Sequence, residues 1–358
     1  LFEGKTPASA FLNSSYDGSF IAGLMELRYI QSLPVERIIN YFESHGFTLK
    51  KPTAHKLMEK ASSLFENLYK CIRQTALSDP YKAADETYYK ILVPEKNSKG
   101  KGVRKGYLWV VVGINTRMIY LLYDDGSRSE KVILNELGGC KGIIQSDGYS
   151  PYRKLESDAY PHITRIPCLQ HIKRKFIDCG EDEPDAKRIV ELINTLYQNE
   201  HKHKIGVDGW TVEQNLVHRK KYAPDILGEI KDVLDDIEER GDLLPKSELK
   251  EAITYLRNEW NAVVDIFNYG DTYLDNNIVE RMNRYISLSR KNSLFFGSHK
   301  GAERGAILYT IALTCRMNKV NLFEYLTDVI NRTAEWQPNT PLEKYRQLLP
   351  DRWEKAND

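Results

Sequence analysis

The sequence has little cysteine and no long apolar run. Its 358 residues contain no C-x-x-C pair and no evenly spaced cysteine framework, because the five cysteines are Cys71, Cys140, Cys168, Cys179 and Cys315. This pattern excludes a disulfide-stabilised secreted domain and favours a reducing, cytoplasmic compartment. The first residues lack a basic stretch followed by an apolar one, and no segment has about 18 uninterrupted apolar residues. We therefore expect neither export nor membrane insertion.

An excess of charge of one sign is also absent. The 51 Lys and Arg residues against 50 Asp and Glu residues give a formal net charge of +1. The overall charge therefore does not indicate a polyanionic partner, and local clusters carry more information. Hydrophobic residues make up 41% and charged residues 28%, which is typical of globular proteins. A chain of this length exceeds one usual hydrophobic core, so we expect two or three modules.

Residues 1–78 predict an N-terminal helical domain. Apolar residues recur at helical spacing, Pro34 can open a second helix that Gly46 ends, and a third helix is expected to begin near Thr53. Helix, glycine-containing turn and helix are typical of a helix-turn-helix unit that binds DNA. A plain helical bundle produces the same pattern, so both interpretations stay open.

The hydrophobic period changes from helical to extended after the segment SDPYK, which ends at residue 82. Segments 83–94, 106–114 and 117–123 are rich in Tyr, Val, Ile and Trp, which predicts three consecutive antiparallel strands. Trp109 is expected to pack in the core. The connection between the first two strands predicts a basic, flexible hairpin, since it carries five cations against Glu95: Lys96, Lys99, Lys101, Arg104 and Lys105.

The next elements complete an α/β pattern. A helix, a strand at 142–147, a helix from about Pro151, a strand at 162–167 and a helix at 169–179 follow in order. This order predicts an RNase H-like core with a mixed five-stranded sheet and helices, although other α+β domains share such an order. An all-helical insertion interrupts the core. We expect five parts: an N-terminal domain at 1–78, the first part of the core at 79–180, the insertion at 181–270, the last part of the core at 271–320, and a helical C-terminal annex at 321–358.

Two acidic residues fall on strands that are neighbours in an RNase H-like sheet. Asp85 lies within the first strand, and Asp147 ends the fourth, where the chain turns at Gly148. Two carboxylates without a cation would repel each other, whereas Mg²⁺ or Mn²⁺ prefers oxygen ligands and leaves room for phosphate and water. A two-ion site needs a third carboxylate. The best candidate is Glu280, in the first turns of a helix that Asp275 can cap, although each acid alone is more often a solvated surface residue.

Four motifs in this sequence resemble the DDE transposases of the insertion-sequence-66 family, the TnpC-like proteins. They are ADET, SDGYSPY, CLQHIKRKF and, longest and most specific, the segment that begins DNNIVERMNRYISLSRKNSLFFG. The resemblance runs from about residue 20 to the end. It implies that Asp85, Asp147 and Glu280 are the family's Asp-Asp-Glu triad. It also implies that these residues hold Mg²⁺ or Mn²⁺, with two ions in the active site.

The same resemblance indicates what the sequence does not contain. Family members usually carry an N-terminal coiled coil and a cysteine-rich zinc-binding domain, and neither pattern is present. Because the sequence opens on leucine rather than methionine, we expect that an upstream part is missing from it.

The motif CLQH places Cys168 and His171 at the start of a helix after the fifth strand. A zinc half-site and a core cysteine beside an ordinary histidine are two interpretations. The motif also resembles one of several DDE transposase families in which the histidine approaches the scissile phosphate, and we favour that catalytic role for His171. Nearby basic residues predict contacts with the DNA backbone, or a plain charged surface: Lys173, Arg174, Lys175, Arg281, Arg284, Arg290, Lys291, Lys300 and Arg304.

Together these features predict a DNA transposase that cuts DNA at element ends and transfers the cut strand into target DNA. The expected partners are double-stranded DNA of the element ends and the target, a second copy in a homodimer or larger synaptic complex, and accessory transposition proteins. A cytoplasmic, nucleoid-associated location follows. A structure-selective RNase H-like nuclease and a non-catalytic DNA-binding derivative stay open as alternatives. A glycosidase is more distant, because it leaves the basic residues unexplained.

Overall fold

The computed structural model describes residues 9–11, 14–96, 100, 102–241, 243–334, 336–337 and 339–355. Lys99 and Lys101 of the predicted basic hairpin lie outside the described residues. The chain divides into two compact units. Unit one comprises Leu1–Cys140 and Ile278–Asp358, and unit two comprises Lys141–Asn277.

Unit one begins with a run of helices. Asp17 caps the first helix by accepting a hydrogen bond from the N–H of Phe20. Pro34 directly precedes the second helix, where its missing N–H leaves no helical bond unmade. Gly46 follows that helix with a φ of 80°, which glycine adopts without strain. The predicted helices are present, with bounds α1 Gly18–Met25, a π-helical turn Glu26–Ile30, α2 Val35–Ser44, α3 Lys51–Leu64 and α4 Glu66–Ser78.

Three antiparallel strands follow in unit one, as predicted. The register places Asp85 opposite Val110 and Tyr88 opposite Tyr107, and residues opposite each other project to the same face. Trp109 is fully buried, as expected for a packing residue. Ser129 stands at the start of the next helix. The bounds are β1 Tyr81–Leu92, β2 Val103–Gly113, β3 Met118–Leu122 and α5 Glu130–Leu137.

Unit two contains a parallel strand pair and a helical block. The strands pair from Gly142 opposite Ile163 to Ser146 opposite Pro167. A block of helices occupies the range in which the sequence predicts an insertion, and its apolar faces are buried. The bounds are β4 Gly142–Ser146, α6 Ser150–Arg153 with a 3₁₀ turn Lys154–Glu156, β5 Ile163–Pro167, α7 Leu169–Ile177, α8 Pro184–Glu200, α9 Val212–Arg240 and α10 Glu248–Ile266.

The last four helices are α11 Asn277–Asn292, α12 His299–Met317, α13 Leu322–Thr333 and α14 Leu342–Arg346. Helix α12 packs on β3 in unit one. Thr310 accepts a hydrogen bond from the N–H of Leu121 at 2.9 Å, and Thr314 donates to the carbonyl of Ile119 at 2.9 Å. Gly305 is needed in this helix, because a Cβ there would lie 2.5 Å from the ring of Phe296.

The five strands form a mixed sheet. Strands β1, β2 and β3 pair antiparallel, whereas β4 and β5 pair parallel. The predicted α/β class is confirmed, and the arrangement is compatible with an RNase H-like core. Within the described part of the chain, no helix combines the length and the apolar character that crossing a bilayer requires.

Candidate active site

Asp85 is fixed within unit one by a contact with α11. It lies near the middle of β1 and is half-buried. The backbone N–H of Glu86 donates to Oδ1 of Asp85 at 2.8 Å, and Nδ2 of Asn283 donates to Oδ2 at 2.7 Å. Hydrogen bonds to a carboxylate are stronger than bonds between neutral groups. The carboxylate of Asp85 therefore has a defined orientation toward α11.

A second contact joins the same face of β1 to the end of α11. Alternate strand residues share a face, so Tyr89 projects to the same side as Asp85. The hydroxyl of Tyr89 donates to the carbonyl of Ser293 at 2.5 Å, and its ring lies 4.3 Å from that of Phe296. The chain is thus held against this face of β1 at Asn283, near the middle of α11, and again just after the helix ends.

Glu280 lies in the first turn of α11 and is half-buried. It precedes Asn283 by three residues, and residues three apart are neighbours on a helix surface. The helix begins at Asn277, so the predicted cap Asp275 lies before it and accepts from the N–H of Asn277 at 3.1 Å. In unit one, Glu280 therefore lies on the same side of α11 as Asn283, the residue that binds Asp85. An acid in a first helical turn is also favoured by the helix dipole alone.

Asp147 directly follows β4 in unit two and is half-buried. Its Oδ1 accepts from the backbone N–H of Tyr149 at 3.1 Å. Its carbonyl accepts from Nη2 of Arg165 at 2.6 Å, and Nε of Arg165 donates to the hydroxyl of Ser146 at 3.0 Å. The main chain at the strand end is therefore held by a buried arginine.

Arg165 is paired with two carboxylates. Its Nη2 lies 2.6 Å from Oε2 of Glu259, and both side chains are fully buried. Its Nη1 lies 2.6 Å from Oε1 of Glu156. Burial alone would lower the pKa of Arg165, but Glu259 and Glu156 raise it above its ordinary value. The arginine that holds the Asp147 backbone is thus charged and paired with Glu259, although burial raises the pKa of that carboxyl above its ordinary value and Arg165 opposes the rise.

Gly148 makes room for a tyrosine of the insertion. Its N–H donates to the hydroxyl of Tyr255 at 2.8 Å. A Cβ at position 148 would lie 2.5 Å from that hydroxyl and 2.6 Å from two ring carbons. Burial, Glu259 and Asp147 raise the pKa of Tyr255 above its ordinary value, so its hydroxyl keeps its proton. Glycine is required here by packing.

Cys168 and His171 lie where the sequence predicted, at the junction of β5 and α7. Cys168 is buried, and its sulfur accepts from the backbone N–H of Asn276 at 3.3 Å. His171 is half-buried in the first turn of α7. The contact with Asn276 gives Cys168 a structural role in holding the residues before α11.

Two more bonds hold the same segment in unit two. The N–H of Leu169 donates to the carbonyl of Leu274 at 2.9 Å. The side-chain amide of Gln145, two residues before Asp147, donates to the carbonyl of Tyr273 at 2.8 Å. The segment at 273–274 is therefore fastened, within unit two, to residues beside Asp147 and His171.

A buried arginine of the insertion anchors this segment further upstream. Arg219 donates to the hydroxyl of Thr272 at 2.7 Å and to its carbonyl at 2.6 Å. Nε of Arg219 lies 3.0 Å from Oε2 of Glu200. Burial alone would raise the pKa of Glu200, but Arg219, Tyr222 and Asn215 lower it below its ordinary value. Glu200 is therefore ionised and neutralises Arg219.

The sequence analysis predicted the helices of this region but did not identify these buried charges. A signal was available. Arg219 stands at helical spacing from the buried Ala223 and Ile226 of α9, and Glu259 stands likewise between the buried Leu256 and Val263 of α10. A charged residue on the apolar face of an amphipathic helix predicts a buried partner.

The predicted DNA-contacting cations differ in exposure. Arg304 forms an ion pair with Glu59, and the guanidinium of Arg290 lies 3.8 Å from the ring centre of Tyr88. Lys173 is half-buried, 6.0 Å from the ring centre of Tyr197. Six of the nine are exposed and can reach a ligand without rearrangement: Arg174, Lys175, Arg281, Arg284, Lys291 and Lys300.

Comparison with known proteins identifies relatives over most of the chain. The model of the family described as Transposase IS66 family matches residues 13–304. Three uncharacterized proteins of Sinorhizobium fredii (strain NBRC 101917 / NGR234) are similar. The protein y4jD is 26% identical over 99% of this chain, y4hP 25% over 90% and y4qI 29% over 73%. The chain spans 69%, 60% and 49% of their respective lengths.

Proposed function

The chain belongs to the IS66 family of transposases, and we propose that it cuts DNA at the ends of its element and joins the cut strand to target DNA. The observation that carries this proposal is the bond from Asn283 to Asp85, which supports a site shared by Asp85 and the neighbouring Glu280. Asp147 supplies the third carboxylate of the proposed site. The family implies a transposase, and the two reaction steps are our proposal.

The donor atoms fit a hard divalent cation. Asp85, Asp147 and Glu280 offer only carboxylate oxygens, which Mg²⁺ and Mn²⁺ prefer. The N–H of Tyr149 uses one of the roughly four acceptor positions of the Asp147 carboxylate. When bound, two such ions would activate a nucleophilic oxygen and neutralise the leaving oxygen. We propose that the three carboxylates hold them.

The chain's own residues orient these ligands. Asn283 and the N–H of Glu86 fix the carboxylate of Asp85, and Arg165 fixes the backbone that carries Asp147. We propose that His171 contacts the scissile phosphate from the start of α7. Preorganised groups need no rearrangement when charge develops during phosphoryl transfer.

The DNA would be held mainly by charge. We propose that the six exposed cations named above contact phosphates of the element ends and the target. In this proposal the fold is an RNase H-like core with a helical insertion. The helices α2 and α3 form a DNA-binding unit, and a homodimer or larger assembly brings two element ends together.

A labelled duplex carrying the element end, incubated with Mg²⁺ or Mn²⁺, tests the proposal. The wild-type chain should release a 3′-hydroxyl end and join it to a target duplex. Asp85→Asn, Asp147→Asn and Glu280→Gln should each lose at least about a hundredfold in rate, because even outer-shell partners of a metal cost 10–100-fold. Asp232→Asn, at an exposed site on α9, is the matched control.

The products also decide between reactions. Joined strands support a transposase, whereas cutting without joining would favour the RNase H-like nuclease instead. Full activity of Asp85→Asn would contradict the assigned site.

A further inference from the structure

A tyrosine pair and a lysine pair lie side by side on one face of the β1–β2 ladder. The register places Tyr88 opposite Tyr107 and Lys90 opposite Lys105. Residues two apart on a strand share a face, and this face is opposite to that of Asp85. Tyr88 is 37% exposed, and both lysines are exposed. Solvent therefore reaches an aromatic and cationic surface outside the proposed active site.

The lysine pair is unfavourable in the absence of an anion. Like charges directly opposite each other on one sheet face repel and destabilise the ladder. Glu86, which shares this face, does not offset that repulsion. Its side chain is only 6% exposed and is paired with Arg128, whose Nε lies 3.0 Å from Oε1. The exposed part of the face is therefore positively charged.

The two tyrosine rings hold further cations in place. Nζ of Lys105 lies 4.4 Å from the ring centre of Tyr88 and 5.2 Å from that of Tyr107. The guanidinium of Arg128 lies 5.1 Å from Tyr107, and that of Arg290 lies 3.8 Å from Tyr88. An aromatic ring attracts a cation without neutralising its charge. The rings thus order Lys105 and Arg290, which keep their positive charge, whereas Arg128 is paired with Glu86.

We propose that this cationic track, defined as Lys90, Lys105 and Arg290, binds the phosphate backbone of DNA. Its charge complements a polyanion, and the ordered cations lose little side-chain freedom when phosphate binds. The inference rests on the proposed function, in which DNA is the substrate. It adds a contact surface on the sheet face opposite to Asp85, where DNA beyond the cut site is held without reading its sequence.

The salt dependence of DNA binding tests this track. The full-length chain and its Lys90→Gln/Lys105→Gln double variant are titrated with a labelled random-sequence 30-bp duplex, without metal, over a range of KCl concentrations. Each phosphate that the protein neutralises adds about 0.9 to the magnitude of the slope of log K against log salt, so the slope of the double variant should be shallower by about 1.8. Lys187→Gln/Lys231→Gln, at exposed positions on α8 and α9, should keep the wild-type slope.

Two readouts keep the test decisive. The double variant should unfold at about the wild-type temperature, because the removal of a like-charge pair offsets the loss of the ring contacts of Lys105, so weaker binding cannot be attributed to misfolding. An unchanged slope and an unchanged affinity for DNA would overturn the inference. The same result is expected if the track binds an acidic protein instead of DNA. The proposed function fails separately, when the wild-type chain binds DNA but neither cuts nor joins it.

Discussion

The two proposed aspartate ligands are fixed by different means. In unit one, Asp85 lies inside a strand, and its carboxylate accepts a hydrogen bond from Asn283, on a helix that is distant in the sequence. In unit two, Asp147 follows a strand, and its backbone carbonyl is bound by Arg165. This arginine is itself paired with the buried carboxylate of Glu259. The first arrangement orients the ligand atoms, whereas the second positions the main chain. Helix α10 is therefore part of the support of Asp147, and the following changes separate the two arrangements.

The largest expected effect is on unit two. Arg165→Ala leaves Glu259 buried without its partner, which should lower the free energy of unfolding by about 3–5 kcal/mol. Urea denaturation monitored by circular dichroism measures this change. Arg188→Ala is the control, since its partner Glu229 and Arg188 itself are both 52% exposed, and it should cost no more than about 1 kcal/mol. Equal effects of the two substitutions would show that the buried pair has no special weight.

Gly148→Ala tests the packing of the turn. The new methyl group overlaps the ring of Tyr255, so we expect a loss of about 1–3 kcal/mol in stability, as for overpacked cores. Gly139→Ala is the control, because nothing lies within 4 Å of the position of its Cβ. In a Tyr255→Ala background the cost of Gly148→Ala should nearly disappear. If the loss of stability persists in the Tyr255→Ala background, the glycine is required by its backbone conformation and not by packing against Tyr255.

The corresponding change in unit one is Asn283→Ala. It removes a 2.7 Å bond to the Asp85 carboxylate, and we expect about a tenfold lower rate of DNA cutting, since supporting partners of metal ligands contribute 10–100-fold. Thermal unfolding should change little, because the residue is only half-buried. Ser287→Ala, one turn further along α11, is the control. Unchanged cutting by Asn283→Ala would show that Asp85 is oriented by other groups.

The smallest expected effect is a change in the stability of unit two at acidic pH. The native pKa of Glu200 is lowered below its usual 4.5, so its ionised form stabilises unit two above that pH, and the contribution is lost as pH falls through the native pKa. The stability difference between wild type and Glu200→Gln should therefore shrink between about pH 6 and pH 3. Thermal unfolding over this range measures it. A difference that stays constant would mean that the charge of Glu200 does not contribute.

Periodicity explains why much of the fold was predictable. Strands β1 to β5 and helices α8 to α10 follow from the spacing of apolar residues, and the break at Gly148 marks the end of β4. The partners that fix the site were not predictable in this way. Asn283 and Asp85 are 198 positions apart, and such pairings leave no local signal in the sequence. The sequence predicted only a turn at Gly148, whereas the group that requires a glycine there is Tyr255, on α10.

The central claim is that Asp85, Asp147 and Glu280 hold a common divalent cation. Mn²⁺ titration followed by electron paramagnetic resonance tests it most directly, using the full chain, the three single variants Asp85→Asn, Asp147→Asn and Glu280→Gln, and the control Asp232→Asn. The account predicts at least about tenfold weaker Mn²⁺ binding in each of the three variants and unchanged binding in the control. Wild-type Mn²⁺ affinity in any of the three would contradict it.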